Sequence, residues 1–143
     1  MPDSEKIQQY LWEIKTALKY EEPVDVALLF FVGTFDGNAF AAPYGENRMV
    51  VCLPVEEGEK PITMVHELIH IVHGKINGST MNWERPVAAL VMEEGLATQL
   101  SKHLVSGYTD EEYLGSQNGW LQDCGKDKEQ ISQGFGKRIW RTS

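Results

Sequence analysis

Apolar residues recur at helical intervals near the start of the chain, with Ile7, Leu11, Ile14 and Leu18 on one face. This predicts an amphipathic helix over residues 3–20, capped by Asp3 or Ser4 and ended by Glu21, Glu22 and Pro23. The period then changes. "VDVALLFFVGTF" is a β-branched and aromatic run that reads as a buried strand, and Asp36-Gly37 follows as a turn signal. "AFAAPYGENRMVVCLPVE" offers two extended pieces. Pro43 makes the first an edge strand or an irregular segment, because proline cannot donate to a ladder. The second, Arg48 to Val55, is the better strand.

Beyond the polar "EEGEKP" the helical period returns. Pro61 suits a first helical turn and Gly74 a stop, so a helix is predicted from Pro61 to His73. After the loop "KINGSTMNWERP" a second long helix is predicted from Glu84 to Leu104, with Pro86 in its first turn. "TDEEY" has the pattern of a capping box opening a short helix at Thr109. "DKEQ" opens another at Asp127, with Ile131, Phe135 and Ile139 on one face. A helix, then strands, then helices implies an α+β domain with a small mixed or antiparallel sheet packed on helices.

At 143 residues the chain fits one domain spanning 1–143. Its net charge of -8 disfavours nucleic acid and anionic membranes as partners. The start lacks a basic, apolar export signal, and the longest apolar run, Val26 to Val32, is too short to span a bilayer. The expectation is a cytoplasmic monomer. Cys52 and Cys124, far apart and off metal-ligand spacing, are expected as reduced thiols.

The chemistry concentrates in "TMVHELIHIVHG". Positions i and i+4 share a helix face, so His66 and His70 can aim at one point. Neutral imidazole is a good zinc ligand, and Glu67, one step round the helix, can act on a water at an open coordination position. With four histidines in the chain, chance produces this pattern in roughly one shuffled sequence per hundred. The competing reading is a core helix built on Val65, Leu68, Ile69 and Val72, with its histidines on a polar face. His73 does not fit the metzincin pattern, which wants glycine at 73 and histidine at 76. It is expected outside the ligand set.

A catalytic zinc site usually has three protein ligands. The best source of a third is "MEEGLATQL", which sets Glu93 and Glu94 among Val87, Leu90, Val91, Leu96, Ala97 and Leu100. A carboxylate in apolar surroundings is costly unless paired or metal-bound. "HELIH" followed by "EEGLA" resembles the gluzincin clan of metallopeptidases, and most closely its small members, the minigluzincins and the YjaZ-like predicted zinc-dependent proteases. The resemblance covers roughly Val26 to Leu104. It implies a zincin-like fold, with the sheet lying on the histidine helix and a following glutamate helix. It implies His66, His70 and Glu94 as ligands of one zinc ion, with Glu93 as the alternative third, and Glu67 as the general base. The activity implied is peptide-bond hydrolysis, with a peptide or protein substrate added as a strand along an edge within Asn38 to Val51.

Two things stay open. The electrophile for the oxyanion has four candidates, His103, Tyr108, Tyr113 and Arg138, each of which also reads as an ordinary surface or packing residue. The alternatives to an endopeptidase are a catalytically silent zinc-binding regulatory domain and an aminopeptidase. The last is disfavoured because no "GxMEN" motif precedes the helix.

Overall fold

The computed structural model describes residues 4–33, 38–57, 61–78 and 86–128. Helix α1 (Ser4–Ala17) leads to strands β1 (Asp25–Phe31), β2 (Phe40–Tyr44) and β3 (Arg48–Pro54). A 3-10 turn at Val55–Glu57 precedes helices α2 (Pro61–Ile76), α3 (Val87–Leu104) and α4 (Asp110–Tyr113). Residues 120–128 are also helical. The chain divides into two compact units, Met1–Gly107 and Tyr108–Ser143.

The first unit is an α+β fold on a mixed sheet of order β1-β3-β2. β1 runs parallel to β3, with Asp25 opposite Arg48 and Phe31 opposite Pro54. β2 runs antiparallel to it, with Phe40 opposite Cys52 and Tyr44 opposite Arg48. β3 is therefore central and carries the burial, from Val51 through Pro54. β1, expected as a buried strand, is instead an edge with no fully buried residue, and Leu29 is half exposed. Its apolar run is partly buried rather than enclosed.

α2 is the core helix, and it packs against α1, α3, β2 and β3. Val65, Leu68, Ile69 and Val72 are fully buried at helical spacing, as are Ile14 of α1 and Val51 of β3, the elements that α2 packs against. Each such side chain contributes about 1.5–3 kcal/mol on burial.

Three helix ends differ from expectation. α1 stops at Ala17, where Lys19 takes a left-handed φ of 55° and Tyr20 N–H bonds back to the Lys15 carbonyl. This is a Schellman stop made without glycine, so no residue signalled it. α2 runs past Gly74 to Ile76. Glycine costs only about 1 kcal/mol inside a helix, and the true stop is Gly78, at φ 60°. Pro86 stands at the N-cap of α3 rather than in its first turn.

In the second unit the capping box is present. Glu112 N–H donates to Thr109 Oγ1 at 3.2 Å, and Thr109 N–H donates to the Glu112 carboxylate at 2.8 Å. The helix expected to open at Asp127 already holds residues 120–128. The Asp36-Gly37 turn and the face carrying Ile131, Phe135 and Ile139 lie outside the described residues. Both cysteines are free thiols. No helix among the described residues is long and apolar enough to cross a membrane.

Candidate metal centre and its carboxylate

One helical turn of α2 sets His66 beside His70, with their Nε2 atoms 3.0 Å apart. Glu94 reaches them from the middle of α3. Its Oε2 lies 3.1 Å from His66 Nε2 and 3.4 Å from His70 Nε2. Among the described residues these three side chains form the one group of histidine, cysteine or acidic residues that could hold a metal ion, with their ligand atoms within 4.8 Å of one another. The packing of α2 on α3 brings them together, and the buried stripe of α2 turns both imidazoles away from the core.

The donor set fits zinc. Three ligand atoms on a tetrahedral ion, each at roughly 2.0–2.1 Å from it, lie about 3.3 Å from one another. The observed separations are 3.0, 3.1 and 3.4 Å. Two imidazoles and one carboxylate are also the protein ligands of a familiar class of hydrolytic zinc sites.

The charges are tightly coupled. Hydrogen bonds from His66 and then His70 hold the Glu94 carboxyl far below the ordinary carboxylate range. Burial alone would lower the His70 pKa, but the Glu94 hydrogen bond and the charges of Glu94, Glu67 and Glu93 outweigh it and the net shift is upward. A cationic species is thus favoured at this spot, be it a proton or a metal ion.

Glu67 lies next to the cluster, and burial pushes its pKa up. The two histidines and a hydrogen bond from the Ala41 backbone N–H work against that rise. The bond from Ala41 had no signal in the sequence, because a main-chain donor leaves no mark on residue type.

The other residues singled out fall elsewhere. Glu93 bears on His70 through charge and is not in the three-residue group. His73 Nε2 is 3.0 Å from Asn77 Nδ2 at the end of α2. Of the four oxyanion candidates, His103 is exposed near the end of α3. Tyr108 and Tyr113 belong to the second unit, where their rings meet edge to face at 5.9 Å. Arg138 lies outside the described residues. Glu94 does not sit in the apolar surroundings expected for it. Val87, Val91 and Met92 are more than 60% exposed and Glu94 is 51% exposed. Its two histidine partners, rather than apolar surroundings, fix its place.

Comparison with known proteins gives no match to a family model, a curated protein or a solved structure.

Proposed function

We propose that this chain is a zinc-dependent peptidase of the gluzincin kind. One observation carries the reading: two histidines of α2 and a glutamate of α3 converge at zinc-ligand spacing beside the carboxylate of Glu67. The "HELIH" and "EEGLA" motifs that carry these residues support it, as does a mixed sheet whose edge strand reaches the histidine helix.

In this reading His66, His70 and Glu94 hold the ion. Zinc bound there supplies a Lewis acid that brings the pKa of a water down to roughly 7 and polarises a carbonyl. Glu67 takes the proton from the attacking water at a carboxylate oxygen and returns it to the nitrogen of the departing amine as the C–N bond breaks. The Ala41 N–H keeps that carboxylate oriented and favours its ionised form, the form that can accept a proton. The substrate is an extended peptide laid along the open edge of β2.

The test is hydrolysis of an unfolded protein such as casein by the zinc-loaded chain. Cleavage that is abolished by a chelator, restored by zinc and lost in Glu67→Gln supports the reading. Equal cleavage by the wild type and Glu67→Gln would sink it.

A further inference from the structure

Beside His70, the tip of the β2–β3 hairpin and the C-terminal half of α2 line an open cavity of about 280 Å³. Pro43 and Met49, a cross-strand pair, form one side, and Ile71 and Gly74 form the other. Gly74 sits inside α2 with no side chain to fill the space. Pockets for whole small ligands run from about 300 to 1,000 Å³. This one lies at the bottom of that range and has room for one large side chain. Glu46 and Lys75 bring one charge of each sign to its lining, and Arg48 is held by Asp25 at 2.9 Å. Asn47 and His70 complete the polar part of the lining, and most of the lining surface is apolar.

The register of the sheet says how a peptide would reach it. Pro43 has no N–H, so its main chain occupies an outward position of the edge strand. Ala41, two residues earlier, faces the same way, in keeping with its N–H going to Glu67 rather than to β3. A peptide added antiparallel to this edge meets the outward carbonyls of Ala41 and Pro43. Residues directly opposite in an antiparallel pair carry their side chains on the same face of the sheet. The residue opposite Ala41 therefore lies over Glu67. The residue two positions away, opposite Pro43, directs its side chain to the face where Pro43 and Met49 meet α2.

We infer that this cavity is a specificity pocket for a large apolar side chain, such as leucine, methionine or phenylalanine. Its owner is the substrate residue two positions from the one seated beside Glu67, hence second or third from the cut bond and on one side of it. The inference rests on the peptidase reading. It adds that Met49 and Gly74 set the preference.

Two measurements test it. Cut sites are mapped in a mixed peptide library with the wild type and with Met49→Ala and Gly74→Leu. Binding of blocked peptides to zinc-loaded Glu67→Gln is measured by calorimetry, varying that one position among leucine, phenylalanine, glycine and aspartate. The expected result is a preference of about tenfold or more for leucine or phenylalanine at that position, in cleavage and in binding alike. Gly74→Leu should abolish it, and Met49→Ala should shift it toward larger side chains. Cleavage with no preference at that position, or one that both variants leave unchanged, overturns the pocket and leaves the peptidase reading standing. If no peptide is cut and none binds, the peptidase reading fails and takes the pocket with it. Should Gly74→Leu fail to fold, the wild-type profile and Met49→Ala decide the matter.

Discussion

The backbone N–H of Ala41, in the outer strand of the sheet, donates to the carboxylate of Glu67 in α2. One hydrogen bond thus links the edge where a peptide can add to the group proposed to move its protons. Pro43 shows that outward positions of this strand accept proline, so Ala41→Pro removes the donor with small disturbance to the ladder. It should retain zinc and lower kcat about tenfold, with a smaller change in KM. An unchanged kcat in a folded, zinc-loaded variant would show that the bond does not position the base.

Glu67→Gln separates metal binding from turnover. Glu67 is outside the three-residue metal group, so zinc content should stay at the wild-type level. Turnover should fall by about 10²–10⁴, the usual contribution of a general base. Peptide hydrolysis and elemental zinc on the same sample check both halves.

Glu94 and Glu93 are adjacent, but a step along a helix turns a side chain by about 100°. Glu94→Gln should weaken zinc by about a hundredfold or more, as read by competition with a chromophoric chelator. Glu93→Gln, at a carboxylate outside the three-residue metal group, should stay within about tenfold of the wild type. The reverse order would exchange their roles.

Zinc binding and stability should respond to pH with a definite sign. His70 must be neutral to bind metal, yet its surroundings raise its pKa above the ordinary imidazole value of 6.5. Zinc affinity should therefore begin to fall on acidification while still above that value, by up to about tenfold per pH unit for one displaced proton. In the metal-free protein, protonated His70 contributes stability that is fully present below the unfolded-state pKa and is lost as pH rises through the folded one. The gain in Tm on adding zinc should thus grow from pH 6 to pH 8. Zinc at a hundred times its Kd adds about 2.7 kcal/mol. A zinc-induced gain that shrinks over this interval, followed by scanning calorimetry, would contradict the coupling.

Gly78 ends α2 at φ 60°, and a Cβ there would meet nothing within 4 Å. Gly78→Ala should cost about 1 kcal/mol from backbone strain alone. Leu68→Ala, in the fully buried stripe of α2, should cost about 2–5 kcal/mol. Urea denaturation checks the ranking, and equal losses would contradict the helix end assigned here.

What could be read from the sequence was what side-chain type encodes. The i, i+4 histidines, the 3.6-residue apolar stripe of α2, the edge role of β2 through Pro43 and the Thr109 capping box all leave marks on residue identity. The α+β class followed from the order of the periods. The missed features belong to the backbone or to tertiary context. Lys19 ends α1 in a conformation usually given to glycine. Gly74 looked like a stop, yet it is helical and leaves room for a cavity. The half-exposed apolar residues of β1 and α3 gave the same local pattern as buried ones. Nothing in "AFAAPY" announces that the N–H of one alanine serves a glutamate 26 residues later (67 − 41).

The most direct test of the account is the zinc content of the purified protein, measured by elemental analysis on a gel-filtered peak beside His70→Ala. Close to one zinc per chain is expected in the wild type, with loss of that stoichiometry in the variant. No stoichiometric metal in the wild type, even after zinc is added back, would make "HELIH" a core helix with two surface histidines and would remove the basis for the peptidase.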